Sequence, residues 1–250
     1  QVVKICAKHQ IHLIEDAAHA LGVKWKNQQA GTFGIAGIYS LQSYKLINAG
    51  EGGVLVTNSP DIYWKSVFMS GSYENNYSLH SSKDLDIAEK YRNKLPIFNV
   101  RMNNLTAAIA IPQIDHIEST IKSVNNNYKS LKDALSSNKL ISFPEENNNI
   151  RPVRDSAQFR IKIKEEERRE LKSSLNNEGI PISYFGGENN TNARLYKNWN
   201  FLDQKKYDLP NTIDNLSEVF DLRLPIHFTK EVIETVANVI MKKLYVRQNR

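Results

Sequence analysis

Apolar and polar positions along the chain change period several times. "IHLIED" (11–16) is a short apolar run ending on an acid, which predicts a buried strand. "AAHALG" after it predicts a short helix closed by Gly22. "GTFGIAG" (31–37) reads as a loop; its glycines fall at every third position, unlike a dinucleotide-binding fingerprint. "IYSL" and "GGVLVTN" predict two short strands flanking a turn that holds Lys45. Ser59 and Pro60 supply the N-cap and first-turn signals for a helix over "DIYWKSVFMSG". Residues 72–96 are polar and predict a long irregular loop.

A helical pattern starts at Asn103 and runs through "NNLTAAIAIPQIDHIESTIKSVNNNYKSLKDAL", where Pro112 is expected to kink or divide it. "ISFPEENNNIRPVRDS" predicts a boundary. Beyond it come a half-exposed strand, "FRIKIK", a helix ended by glycine, "EEERRELKSSLNNEG", and a second strand, "IPISYF". The amphipathic helix of "LPIHFTKEVIETVANVIMKKLY", capped by Thr229, closes the chain. Alternating strands and helices predict an α/β class with a small α+β domain at the end. The expected domains are 1–142 and 143–250.

Composition narrows the function. The chain has 250 residues, 40% of them apolar, enough for a sizeable core. Its net charge is +6, but basic residues are interleaved with acids, as in "KIKEEERRELK". No basic stripe predicts a nucleic-acid partner. No apolar run is long enough to predict a membrane partner. The single cysteine, Cys6, leaves no internal disulfide and no cysteine-based zinc site, so no metal is expected and a reducing, cytoplasmic setting is. The start, "QVVKICAKHQ", has neither an initiator Met nor a signal-like stretch, and reads as an interior start.

Two residues suggest chemistry. Asp16 ends an apolar strand, where open α/β sheets bind ligands. Lys45 sits in a tight turn that could reach the same crevice. Pyridoxal phosphate needs this pair: a lysine for its aldehyde and a carboxylate for its pyridine nitrogen. Ser40 could offer a hydroxyl to the phosphate, and Gly50, Gly52 and Gly53 let the backbone turn after the lysine. Plainer readings stand beside this one. Asp16 could cap the "AAHALG" helix, Lys45 could be a solvated turn lysine, and His19 could be a packed helix histidine.

"LIEDAAHALGVKWKNQQAGTFGIAGIYSLQSYKLINAGEGGVLVTN" resembles the central segment of the DegT/DnrJ/StrS sugar aminotransferases. "FNVRMNNLTAAIAIPQI" and "LRLPIHFTKEVIETVANVI" resemble two later blocks of that family, in order. The resemblance implies an aspartate-aminotransferase-like fold (fold type I), with part of a large mixed-sheet domain and a small α+β domain. It makes Lys45 the Schiff-base lysine and Asp16 the acid on the pyridine nitrogen. His19 lies against the cofactor, Ser40 binds its phosphate, and Asn99 reaches the phosphate of the neighbouring subunit in a homodimer. Arg101 and Tyr184 are candidate substrate contacts. The implied reaction moves an amino group from glutamate or glutamine to a keto-sugar, often nucleotide-linked, or to a keto-cyclitol. Gln42 and Tyr44 depart from the family pattern, which often has His and Ser there. The resemblance also implies an absent N-terminal part, so a non-catalytic binding or regulatory protein is the alternative.

Overall fold

The computed structural model describes residues 1–72, 76–79, 83–187, 192, 195, 198–202 and 209–248. In chain order the elements are α1 (Val2–Lys8), β1 (Ile14–Asp16), β2 (Lys24–Trp25), β3 (Gln28–Gln29), β4 (Ala36–Ser40), β5 (Gly53–Val56), α2 (Pro60–Ser70), α3 (Leu85–Tyr91), α4 (Asn104–Asp115) and α5 (Ile117–Leu135). They continue with β6 (Ile141–Ser142), β7 (Ile150–Arg151), β8 (Ser156–Ile161), α6 (Glu165–Asn177), β9 (Ile182–Tyr184), α7 (Pro210–Ser217), β10 (Val219–Arg223) and α8 (Lys230–Gln248). The chain divides into two compact units, 1–120 with 147–153, and 121–146 with 154–250. This division does not fall at residue 142. The apolar face of α5 beyond Thr120 belongs to the core of the second unit, and 147–153 returns to the first unit by pairing β7 with β2.

In the first unit, β1 pairs with β4 in parallel, from Ile14↔Ala36 to Asp16↔Ile38. Strand β5 pairs with β4 antiparallel, from Gly37↔Val56 to Ser40↔Gly53, so the sheet is mixed. The predicted helix over "AAHALG" is not there; the chain makes consecutive turns. Ala17 donates its N–H across the sheet to the Ile38 carbonyl at 3.0 Å, which holds the backbone extended where a helix would start. Asp16 Oδ1 then accepts from the Ala18 N–H at 3.1 Å and closes a local turn instead.

The Ser59–Pro60 signal is realised: Ser59 Oγ accepts from Ile62 N–H at 3.4 Å at the start of α2. The described residues of 72–96 carry more regular structure than a long loop. A 3-10 turn at Asn76–Leu79 and α3 bring Tyr77 and Ala88 onto Trp64 and Phe68 of α2. The polar residues around α3 mask its apolar positions, Ile87, Ala88 and Tyr91, which share a helical spacing. Helix α4 runs through Pro112, and the division comes at His116, ahead of α5. Pro112 has no N–H to give to the turn behind it, and this weakens the helix without ending it on the spot.

In the second unit the strand order is β6-β8-β10-β9, with every pair antiparallel. Ala157, Phe159 and Ile161 of β8 are buried while Gln158 is exposed, the period-2 signature of a sheet covered on one face. Leu131, Leu171 and Ile240, from α5, α6 and α8, pack into that same core. Thr229 caps α8 as expected, accepting from Val232 N–H at 3.4 Å. Gly179, at φ +78°, terminates the turn after α6. Among the described residues, no helix is long and apolar enough to cross a membrane.

Candidate active site

Strands β1 and β4 run in parallel, so their carboxyl ends lie side by side. Asp16 ends one and Ser40 ends the other. The loop after β4 carries Lys45 and is closed on itself. Leu41 N–H donates to Gly52 O at 3.0 Å, Ser43 N–H to Gly50 O at 2.9 Å, and Ala49 N–H to Leu41 O at 2.9 Å. Lys45 N–H donates to Gln42 O at 2.9 Å, adding a tight turn at the lysine itself. Gly50 sits at φ +82°, which a side chain would strain. Beneath the loop, Leu41, Ile47 and Ala49 pack on Ala110 of α4.

Gln113 of α4 locks this loop from the side. Its Oε1 accepts from Asn48 N–H at 3.0 Å, and its Nε2 donates to Asn48 O at 2.8 Å and to Ile109 O at 2.8 Å. One side-chain amide therefore satisfies both backbone groups of Asn48, as a neighbouring strand would. Sequence reading missed Gln113, because nothing local links it to a loop so far away in the chain.

Lys45 is half-buried and His19 exposed. The Lys45 Nζ lies 2.6 Å from His19 Nε2. His19 stands on the turn directly after Asp16, so the acid, the imidazole, the amine and the Ser40 hydroxyl gather at one end of the mixed sheet. Asp16 is exposed, with Oδ1 engaged by the Ala18 amide. Ser40 Oγ accepts from Gln42 N–H at 3.3 Å. The donor set suits pyridoxal phosphate: an amine for an aldehyde, an anion for a ring nitrogen and a hydroxyl for a phosphate.

Glu15, unremarked in the sequence, organises the neighbouring loop. Its Oε2 accepts from Gly31 N–H at 2.8 Å, and its Oε1 accepts from Phe33 N–H and from Gly34 N–H at 2.8 Å. The spaced glycines of "GTFGIAG" follow from close approach. A Cβ on Gly34 would lie 2.1 Å from the Leu13 carbonyl oxygen, and one on Gly31, at φ +91°, 2.6 Å from the Tyr39 hydroxyl. Burial pushes the Tyr39 phenol up, keeping it protonated to donate to Ala30 O. An acid inside an apolar strand was the signal available for Glu15.

Asn99 and Arg101 are exposed on a segment tied to the end of α2. Phe98 N–H donates to Met69 O at 2.8 Å and Val100 N–H to Ser70 O at 3.1 Å. The Arg101 guanidinium packs beside Gly71, and Met102 beside Gly52 in the lysine loop. Tyr184 requires a correction as a substrate contact. It is 4% exposed in the second unit, its ring stacked on Phe220 with centroids 4.8 Å apart. Its hydroxyl donates to Ser217 O at 2.7 Å and accepts from Arg168 Nε at 3.0 Å. An apolar ring with both hydroxyl functions engaged is a packing residue. Within 72–96 and 184–200, residues 73–75, 80–82, 188–191, 193–194 and 196–197 lie outside the described residues. Among the described residues, no cluster of His, Cys, Asp and Glu could hold a metal ion.

Comparison with known proteins places this geometry. Residues 1–241 match the model of the DegT/DnrJ/EryC1/StrS aminotransferase family. A GDP-perosamine synthase of Vibrio cholerae is 32% identical over 118 residues, 47% of this chain and 29% of that protein. A putative L-glutamine:3-amino-2,3-dideoxy-scyllo-inosose aminotransferase of Micromonospora echinospora is 28% identical over 121 residues, 48% of this chain and 27% of that one. The solved structure of an E. coli GDP-4-keto-6-deoxy-D-mannose-3-dehydratase with bound hydrated PLP aligns with a TM-score of 0.73 and 23% identity, over 96% of this chain and 62% of its own. The matched stretch thus spans under a third of the curated relatives, and the chain under two thirds of that structure. The structural likeness bears out the expected α/β fold of the pyridoxal-phosphate-dependent aminotransferases, with its mixed sheet. By its match over nearly its whole length, the chain is a member of the DegT/DnrJ/EryC1/StrS aminotransferase family.

Proposed function

We propose that this chain forms part of a pyridoxal-phosphate-dependent aminotransferase that moves an amino group from glutamate or glutamine to a nucleotide-linked keto-sugar. The observation that carries the reading is the Lys45 amine on a braced loop, 2.6 Å from the imidazole that follows Asp16. Lys45 would bond the aldehyde, Asp16 would face the ring nitrogen, Ser40 would donate to a phosphate oxygen, and His19 would lie beside the ring. Asn99, exposed on its surface segment, would complete the site of a second copy, making a homodimer. Arg101, on the same segment, is the remaining substrate candidate. The lone Cys6 agrees with a cytoplasmic setting.

When bound, the cofactor supplies a ring that draws electrons from the substrate carbon. The chain's own groups do the rest. Asp16 would hold the protonated ring nitrogen by its charge. The Lys45 amine would take a proton from substrate carbon and return it, acting in turn as base and acid. The loop bonds to Gln113 hold the amine in position, since misplacement by about 1 Å is enough to slow such a transfer about a hundredfold.

Adding pyridoxal phosphate to the protein should produce a near-visible absorbance band that is lost in Lys45→Ala. A band that survives this change removes Lys45 from its role. Asp16→Asn should retain the cofactor and slow turnover about a hundredfold or more; unaltered turnover removes Asp16. No band in the wild-type protein would favour a non-catalytic binding protein. The name of the Micromonospora relative supports a second substrate class, a keto-cyclitol. Offering both acceptors with labelled glutamine separates the two by the product that carries the label.

A further inference from the structure

We propose that His19 is the proton acceptor for Lys45: its Nε2 takes the proton that the Lys45 amine must lose before it can bond a carbonyl. The proposal rests on the reading of Lys45 given above. It starts from a distance that leaves little choice. At 2.6 Å, Lys45 Nζ and His19 Nε2 share one hydrogen between them. Either the ammonium donates to a neutral imidazole protonated at Nδ1, or an imidazolium donates to a neutral amine. Two positive charges at that separation repel, so the pair carries at most one. In the transfer the Nζ–H bond breaks, its electron pair stays on Nζ, and the proton bonds to the Nε2 lone pair. The amine becomes nucleophilic while the charge moves to the ring.

The surroundings keep the pair in register. His19 is held by the turn that begins with the Ala17 N–H to Ile38 O bond and the Asp16–Ala18 contact. Lys45 is held by its own turn bond to Gln42 and by the Gln113 clamp on Asn48. Neither group depends on a free loop to find the other. The other titratable groups on these two loops are Asp16, Tyr44 and Glu51. From α4, Thr106 packs against the lysine loop at Gly52 and brings no charge.

The test measures the amine directly, on the protein free of cofactor. Reductive methylation with formaldehyde and cyanoborohydride modifies only the unprotonated amine. Mass spectrometry of the peptide holding Lys45 then gives its rate across the neutral to alkaline range. The wild-type lysine should react about tenfold faster at neutral pH than in His19→Gln, with the variant profile displaced to higher pH. His19→Gln decides the matter, because its amide oxygen still accepts from the ammonium but takes no proton. A wild-type profile in His19→Gln means that holding the amine suffices and overturns the proposal. If the absorbance band forms in wild type and His19→Gln while their profiles superpose, this proposal alone fails. If wild type forms no band, the aminotransferase reading fails, whatever the labelling shows.

Discussion

In the unit built from 121–146 and 154–250, one core joins the antiparallel sheet to its helices, and Phe159, Leu171, Phe220 and Ile240 are all at most 1% exposed. The unit of 1–120 and 147–153 differs. Among the described residues its apolar burial is dispersed: one small cluster lies around Ile47, another around Trp64, and Ala17, Ala36 and Tyr39 are buried outside both. Ile14 remains 63% exposed, Leu105 78% and Ile109 53%. Around the lysine loop, hydrogen bonds to backbone groups, by Glu15 on 31–34 and Gln113 on Asn48, add to the packing of Leu41, Ile47 and Ala49 on Ala110. Side-chain burial holds one unit together, and polar bracing shapes the chemistry-bearing part of the other. A site that must admit a polar ligand needs groups fixed in place without being sealed, and backbone hydrogen bonds supply that.

The comparison breaks or sharpens under substitution. Phe159→Ala should destabilise the second unit by about 3–5 kcal/mol in denaturant unfolding, because it empties a closed core. Ile109→Ala, on an exposed face of the first unit, should change stability by less than about 0.5 kcal/mol. Equal costs for the two would erase the contrast. Glu15→Gln removes the anion that accepts three amides and should cost about 1.5–3 kcal/mol. Hydrogen exchange at 31–34 should speed up in this variant, and unchanged exchange there would show that the glycine packing alone holds the loop.

Ser59→Ala should cost about 1 kcal/mol through the lost cap of α2, read as faster exchange in its first turn. The smallest effect belongs to the surface of the second unit. Lys132, with Nζ 2.6 Å from Glu146, holds that carboxyl below the usual carboxylate range. The contribution is therefore present above the ordinary carboxylate value and is lost as pH falls through the lowered one. Lys132→Met should flatten this part of the acid-side slope of stability. An unchanged slope would show that the pair contributes nothing measurable, as many exposed pairs do.

Parts of the fold were legible because their signals are local. The caps Ser59 and Thr229, the turn at Gly179 and the strand–turn–strand around Lys45 each depend on residues within a few positions. Where sequence reading failed, a distant partner decided. "AAHALG" has helical residues, but a carbonyl of β4 claims the Ala17 amide. The segment 147–153 follows a boundary pattern, yet it pairs with β2 and rejoins the first unit. Tyr184 stands in a strand near polar loops, yet Phe220, Arg168 and Ser217 enclose it.

By itself the sequence determined the residue types and their order: an acid at a strand end, a lysine in a glycine-rich turn, a serine between, and motif blocks that carry the family over nearly the whole chain. Tertiary structure alone decided which of them meet. The Lys45–His19 contact, the Gln113 clamp and the three amides on Glu15 join residues far apart in the chain. Such contacts form only when the parallel register of β1 on β4 and the packing of α4 under the loop bring them together, and no local pattern encodes that.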